Sequence, residues 1–203
     1  MLLLGLLLSG YGGSSTVLET SGDIKILKFT VDHILEETNN KMNFEILLAD
    51  YKNKSHAADI IYLLDAYSKD PMGGGSPLSD FSKDNLIKKL SNIPHAFSVL
   101  CYVDNKPAGL INCFEVFSTF QCRPLINIHD VIVIAEFRGL GISQLMMKEV
   151  EGIARTNGCC KITLEVLERN EVAKNSYKKF GFVGYELNPL MGRALYWEKS
   201  IKT

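Results

Sequence analysis

The sequence has little net charge, so it lacks the field that a nucleic-acid or membrane-surface protein uses. Its 203 residues include 22 Lys and Arg against 23 Asp and Glu, which leaves a formal net charge of −1. Without a general positive field, any phosphate binding must be local. We therefore predict no nucleic-acid partner.

The sequence also lacks a long apolar run. Residues 2–8 are apolar except for Gly5, whereas a membrane-spanning helix needs about 20 residues, so we predict no membrane span. Residues 9–23 are rich in Gly, Ser and Thr and are typical of a linker. We expect residues 1–41 to be an extension outside the core, as an upstream start codon would add, and residues 42–203 to form the domain.

Zinc-type cysteine spacing is absent as well. None of the five cysteines is part of a Cys-x-x-Cys pair, so we predict no metal site. Cys101 and Cys113 lie in apolar, strand-like runs and are expected in the core. The odd count of thiols favours a reducing cytoplasm. A cysteine nucleophile needs a histidine partner, for which no pattern is present, so a cysteine hydrolase is disfavoured.

What the sequence does contain is alternating helical and strand periodicity. This order predicts a mixed α/β domain with helices on the faces of a sheet. The first helix is capped by Asn53 or Ser55 and the second by Ser79. Predicted helices cover residues 54–68, 80–91, 142–157 and 171–180; predicted strands cover residues 44–49, 96–103, 107–117, 126–134, 161–167, 182–185 and 193–199.

A glycine-containing bend between a strand and a helix is the most informative segment. It reads Arg138-Gly139-Leu140-Gly141-Ile142-Ser143 and precedes an amphipathic helix. Glycine allows a ligand to approach the backbone closely, and a helix N-terminus adds unpaired donors and a favourable dipole. The segment predicts a pyrophosphate site, with a plain strand-to-helix turn as the alternative.

A second motif follows about thirty residues later and consists of Asn170, Ala173, Tyr177, Gly181 and Phe182. In this order and spacing, the two motifs resemble the GNAT superfamily of acetyl-CoA-dependent N-acetyltransferases. The bend resembles that family's pyrophosphate loop, Arg/Gln-x-x-Gly-x-Gly/Ala, and the second motif resembles Asn-x-x-Ala-x-x-x-Tyr-x-x-x-Gly-Phe. The chain departs from the first pattern only in its last position, which is serine. The resemblance covers about residues 42–199.

The resemblance implies the GNAT fold, a mixed and mostly antiparallel sheet in which strands 126–134 and 161–167 splay apart. It also implies acetyl-CoA as co-substrate and no metal. The backbone of Val131 and Val133 would meet the pantetheine arm, and Tyr177 would protonate the leaving thiolate as general acid. The remaining cofactor contacts that the resemblance implies are Arg138, Gly139, Leu140, Gly141, Ile142, Ser143, Asn170 and Ala173.

The general base is less well defined. Many family members carry glutamate at the places equivalent to Asn127 or His129, and this sequence has no acid at either. Strict alternation puts Asn127, His129, Val131 and Val133 on one face of the strand and Asp130 on the other. His129 is therefore a candidate base and, with Asn127, a candidate acceptor contact; a histidine bonded within the sheet is the alternative.

Glu115 is the second candidate base. It could instead bind a cationic acceptor or lie at a solvated strand end.

Three further segments also leave alternatives open. The Gly-rich loop at residues 70–77 is a lid or a flexible connection, and residues 194–197 form a homodimer contact or part of the core. The basic cluster of Arg169, Lys174, Lys178 and Lys179 is a solvated helix face or a phosphate contact.

These features favour a cytoplasmic enzyme that moves the acetyl group of acetyl-CoA to a primary amine by direct attack. The acceptor is a small molecule or a protein lysine. The alternative from another class is a CoA-binding regulatory module without catalysis, because positions 127 and 129 carry no acid.

Overall fold

A computed structural model describes residues 16–21, 24–31, 42–186 and 194–201, together with residues 188, 190 and 192. These residues form two compact units, one that ends at Leu167 and one that begins at Glu168. The strands are β1 (Thr16–Ser21), β2 (Ile24–Val31), β3 (Met42–Leu48), β4 (Ala96–Val103), β5 (Lys106–Ser118), β6 (Arg123–Val133) and β7 (Ile162–Leu164). The helices are α1 (Lys54–Lys69), α2 (Asp80–Leu90), a 3-10 turn (Ala135–Phe137), α3 (Ile142–Thr156) and α4 (Glu171–Phe180).

The first unit is built on one mixed sheet in the order β1-β2-β3-β4-β5-β6-β7. Neighbouring strands are antiparallel from β1 to β6, and only β6 and β7 are parallel. A parallel pair needs a crossover, which α3 provides between these two strands. The predicted mixed, mostly antiparallel sheet is therefore confirmed.

Helices cover both faces of this sheet. On one face, α1 packs Ile60 and Leu63 against Leu100, Leu110 and other members of a buried apolar cluster. On the opposite face, α3 lies so close to β5 that a Cβ added to Gly109 would stand 2.8 Å from Met146 Cε. Successive residues of β5, such as Gly109 and Leu110, therefore face different helices, because side chains alternate between the two faces of a strand.

Local capping signals predicted the helix starts of α1 and α2 correctly. Asn53 is the cap of α1, and its side chain accepts from the Ser55 N–H at 2.9 Å. Ser79 is the cap of α2 and accepts from the Ser82 N–H at 3.1 Å. These bonds satisfy donors that the first helical turn leaves unpaired.

The chain ends differ from the prediction. Residues 16–21, predicted as part of a linker, pair with β2 as strand β1, while residues 9–15 and 22–23 lie outside the described residues. Residues 182–185 and 194–199 are not in strands, and Arg193 lies outside the described residues. Apolar and aromatic residues favour a strand, but a strand forms only where a partner edge pairs with it, so this part of the prediction was wrong.

Within the described part of the chain, no helix is long and apolar enough to cross a membrane.

Candidate active site

The bend after β6 has the backbone conformation that its glycines allow. Gly139 has φ of 85° and Gly141 has φ of 77°, both in the left-handed region that favours glycine. Gly141 is the cap residue of α3, and no side chain caps that helix start. The side chain of Ile142 is buried, so the first turn of α3 is anchored in the core. The Gly141 carbonyl accepts from the Gln144 N–H at 3.0 Å and closes the first turn, and the N-terminal end of a helix is a favourable place for an anion.

Arg138 joins this bend to the loop that follows α1. Its Nε donates to the Val133 carbonyl oxygen at 3.1 Å, and its Nη2 donates to Asp70 Oδ2 at 2.9 Å. The Met72 N–H and the guanidinium together hold the pKa of Asp70 below its usual value. The charge of Arg138 is thus balanced by a carboxylate from another element.

The loop at residues 70–77 is folded against the C-terminal end of α1. The Asp70 carbonyl accepts from the N–H groups of Gly73 and Gly75, and the Ser76 N–H donates to the Ser68 carbonyl at 2.9 Å. A Cβ on Gly73 would overlap the carbonyl oxygen of Tyr67, so this close approach requires glycine. Internal bonds and the Arg138 contact thus hold the loop, and its role as a lid stays a prediction.

The pairing between strands β6 and β7 ends before β6 does. Their last paired residues are Ile128 and Leu164, while β6 continues to Val133. The Ile134 N–H donates to the Ala108 carbonyl of β5. The main-chain groups of neighbouring residues along a strand point in opposite directions, so those of the residues at odd positions before Ile134 point away from β5. Val131 and Val133 therefore turn these groups toward the side that β7 leaves open. This geometry supports the predicted pantetheine contact at both residues, although Arg138 already occupies the Val133 carbonyl.

A β-bulge in β6 changes which side chains share a face. Asn112 of β5 pairs with Asp130, but the next residue, Cys113, pairs with Ile128, so His129 is an extra residue. A bulge resets the alternation of side chains. The prediction that Asp130 lies on the face opposite Asn127 was therefore wrong, because it assumed strict alternation.

Asp130 is the residue that sequence reasoning missed. Its Oδ2 accepts from Asn112 Nδ2 at 2.9 Å on the face covered by α1. Burial raises the pKa of Tyr67, and the negative charges of Asp130 and Asp70 raise it further, so this hydroxyl lies in the field of both carboxylates. Two consecutive polar residues, His129 and Asp130, interrupt the apolar run of β6 and were the available signal for a bulge.

His129 and Asn127 are placed on the same side as Asp130. The exposed His129 ring meets Phe114 edge-on, with ring centroids 5.7 Å apart. Asn127 pairs with Phe114 across the strands, and its Nδ2 donates to Thr163 Oγ1 at 3.2 Å. Val131 pairs instead with Ile111 on the other face. The roles of His129 and Asn127 toward substrate remain predictions.

Glu115 lies on the face of the sheet opposite these residues. It is next to Phe114 on β5, and its Oε2 accepts from Asn157 Nδ2 at 2.8 Å just after the end of α3. The structure thus brings Asn127, His129 and Asp130 to one face and leaves Glu115 bonded on the other. Its role as base or acceptor contact remains a prediction that this bond disfavours.

The second unit contains the second motif on and around α4. Asn170 is the cap of this helix, and its Oδ1 accepts from the Ala173 N–H at 3.1 Å. The Tyr177 ring packs against Phe182, with centroids 5.9 Å apart. Lys174 binds Glu171 at 2.7 Å, which favours a solvated helix face for this member of the basic cluster. The predicted cofactor contacts Asn170 and Ala173 are joined to each other as a helix cap.

The buried cysteines are poor nucleophiles. Cys101 and Cys113 are both buried, as predicted. Burial raises the pKa of Cys101 to about 12 and raises that of Cys113 as well, so neither forms a thiolate at neutral pH. Among the described residues, no group of three or more His, Cys, Asp or Glu side chains is arranged to hold a metal ion.

The described elements define a mixed α/β domain in which a splayed strand leads into a glycine bend and a helix N-terminus. The family model described as "Acetyltransferase (GNAT) family" matches residues 60–182, more than half of the 203-residue chain. The chain therefore belongs to the GNAT family, as its two motifs predicted.

Curated relatives share part of this region. An uncharacterized N-acetyltransferase of Methanocaldococcus jannaschii is 31% identical over 84 residues, which are 41% of this chain and 37% of that protein. A thialysine N-epsilon-acetyltransferase of Mus musculus is 35% identical over 68 residues, which are 34% of this chain and 39% of that protein. The matches thus span well under half the length of these relatives.

Solved structures confirm the fold. An aminoglycoside acetyltransferase from an uncultured soil metagenomic sample, in complex with trehalose, has a TM-score of 0.64 at 15% identity; the match covers 78% of this chain and 97% of that one. The acetyltransferase AAC(6')-Iy, in complex with the bisubstrate analog CoA-S-monomethyl-acetylneamine, has a TM-score of 0.61 at 15% identity and covers 78% and 99%. The expected GNAT fold, with its splayed strands, is confirmed.

Proposed function

We propose that this protein transfers the acetyl group of acetyl-CoA to a primary amine of a cationic small molecule. The observation that carries the proposal is the bend at residues 138–143, with two left-handed glycines at the start of α3. Family membership supports acetyl-CoA as the anion that this bend holds. Relatives named for thialysine and aminoglycoside acetylation support an amine as the acceptor.

The acceptor side of the sheet has the charge that a cationic amine needs. Asp130 and Asp70 both act on the half-buried Tyr67, so their carboxylates surround one region of the α1 face. Arg138 balances Asp70, and Asp130 has only the neutral Asn112 side chain as its hydrogen-bond partner among the described residues. An ammonium group that approaches Asp130 would gain a charge-assisted hydrogen bond.

The reaction needs few protein groups. The neutral amine attacks the thioester carbonyl, a C–N bond forms, the C–S bond breaks, and the amine loses one proton while the CoA thiolate gains one. We assign the second transfer to Tyr177, on the strength of its place in the second motif. Asp130 or His129 takes the first proton, and main-chain donors are suited to the carbonyl oxygen as it gathers charge.

The regulatory-module alternative loses its main support. It depended on the lack of an acid at positions 127 and 129, but the bulge at His129 brings Asp130 to the same face as both residues. We therefore favour an enzyme over a CoA-binding module without catalysis.

Homodimer formation and a cytoplasmic location remain proposals. Leu195, Tyr196 and Trp197 are exposed and are the candidate dimer contacts.

An amine panel tests the function. Purified protein is mixed with acetyl-CoA and with thialysine, sisomicin, spermidine or a lysine-containing peptide, and thiol release is followed. Release that depends on an amine supports the proposal. Binding of CoA without release would favour the regulatory module, and release without any amine would favour a hydrolase; either result would contradict the proposal.

The Arg138–Asp70 ion pair predicts that a single variant binds CoA more weakly than the double variant does. Arg138→Gln should weaken CoA binding by about fivefold, because it leaves the Asp70 carboxylate unbalanced near a polyanion; fivefold is the upper end for an exposed pair. The double variant Arg138→Gln/Asp70→Asn should return to within about twofold of the wild type, because both charges are gone. Calorimetric titration with CoA measures both affinities.

The matched control for this pair is Arg155→Gln. Arg155 forms a similar exposed ion pair with Glu151, at 2.6 Å in the last turns of α3. This variant should leave CoA affinity unchanged. A double variant as weak as Arg138→Gln alone would mean that the guanidinium itself binds phosphate.

A further inference from the structure

A continuous line of side-chain hydrogen bonds crosses the sheet and ends on Asp130. The Tyr51 hydroxyl lies 2.9 Å from Ser98 Oγ, Ser98 Oγ lies 2.6 Å from Asn112 Oδ1, and Asn112 Nδ2 lies 2.9 Å from Asp130 Oδ2. We call these four residues the cross-sheet network. It connects the segment before α1 to β4, β5 and β6.

The carboxylate sets the direction of every bond in the network. Ionised Asp130 has no proton to donate, so it accepts from the amide of Asn112. The Asn112 carbonyl oxygen then faces Ser98, which must donate to it. Ser98 in turn accepts from Tyr51, whose pKa is raised mainly by burial, so this hydroxyl keeps its proton at neutral pH. Each member therefore holds the next in one orientation.

Two members of the cross-sheet network are polar residues in a buried position that apolar residues usually occupy. Ser98 is 0% exposed and Asn112 is 5% exposed, and a polar side chain buried without partners would destabilise the fold. The neighbouring residues on the same face, Leu100 and Leu110, are apolar and belong to the core cluster. The row that leads to Asp130 instead carries two buried polar side chains, Ser98 and Asn112, which points to a requirement at its end.

We propose that Tyr51, Ser98 and Asn112 are positioning residues that aim the Asp130 carboxylate at the amine acceptor. Asn112 occupies Oδ2 and fixes the carboxylate plane, and Oδ1 is left to bind the acceptor's amino group and to take its proton. This inference rests on the proposed acetyltransferase function. It adds to that function the group that orients the amine and the buried row that holds this group still.

Tyr51→Phe is the sharpest test, because it removes one oxygen atom and leaves the packing of the ring. Ser98 then loses its donor, and the orientation of Asn112 and Asp130 becomes less restricted. We expect kcat with the fastest amine of the panel to fall about fivefold, while affinity for acetyl-CoA stays within twofold. Asp130→Asn should lower kcat/KM for the amine by about a hundredfold, as loss of a positioned proton acceptor does.

Tyr102→Phe is the matched control. Tyr102 is also half-buried, and its hydroxyl donates to Asp59 on α1 at 2.7 Å, outside the network. The two variants should lose similar stability in thermal unfolding, but only Tyr51→Phe should lose turnover. Equal turnover in the two variants would overturn the proposal.

A double-mutant cycle separates positioning from a general structural effect. If Tyr51 acts through Asp130, Tyr51→Phe should cause no further loss of turnover in an Asp130→Asn background. A full additional fivefold loss in that background would contradict the inference. If the wild type releases thiol with no amine, the proposed function fails and this inference fails with it; if the wild type is active and the cycle is additive, only the network proposal fails.

Discussion

Gly141→Val is expected to weaken CoA binding by at least tenfold while the protein stays folded. Gly141 has φ of 77°, a region that costs a residue with a side chain about 1–2 kcal/mol. Apart from its chain neighbours, a Cβ there would meet no atom of the described residues within 4 Å, so the new side chain would extend into the open space outside the start of α3. That space is where we place the diphosphate, and calorimetry with CoA measures the loss.

Gly158→Val provides the control for backbone strain. Gly158 follows the other end of α3, has φ of 66°, and also has open space around an added Cβ. Both valine variants should lose comparable stability in thermal unfolding, yet Gly158→Val should bind CoA like the wild type. If Gly141→Val bound CoA as tightly as Gly158→Val, main-chain donors of the bend would not hold the diphosphate.

Tyr177→Phe should lower kcat by about a hundredfold, the lower end of the range for a positioned general acid. The ring packs against Phe182, and phenylalanine keeps that contact, so α4 should remain folded. Affinity for acetyl-CoA should stay nearly unchanged, because the hydroxyl is assigned to the leaving thiolate and not to cofactor binding. Steady-state kinetics, with CoA titration in parallel, measure both quantities.

Tyr62→Phe is a suitable comparison for Tyr177→Phe. Tyr62 lies on α1 and is 54% exposed, and no role in the reaction is assigned to it. Its loss of a hydroxyl should leave kcat at the wild-type value. Unaltered turnover in Tyr177→Phe as well would remove Tyr177 from the mechanism.

The parts of the fold that depend on near neighbours were predictable. Helix α4 begins and ends at the predicted residues, and α1 and α2 begin at predicted caps, because capping bonds join residues two or three positions apart. The bend was also predictable, since a left-handed backbone at Gly139 and Gly141 is a local property of glycine. The same local rules underlie the family motifs.

Contacts between distant residues decided the rest. Leu195, Tyr196 and Trp197 are residue types that favour strands, yet residues 194–199 form no strand, because pairing depends on a partner edge. The bond between Asn170 and the Ala173 N–H is local by contrast, and the predicted contact of these two residues with the cofactor stays a prediction.

The sequence by itself determined the family, the helix starts and the glycine bend at residues 138–143, because each depends on residue types at short spacing. Only the tertiary structure decided that Asp130 faces α1, that Arg138 binds Asp70, and that Tyr51, Ser98 and Asn112 lie in one hydrogen-bonded row. The physical reason is the pairing register of β5 and β6. One extra residue, His129, resets the faces of the strand beyond it, and the length of β6 alone does not reveal where that residue lies.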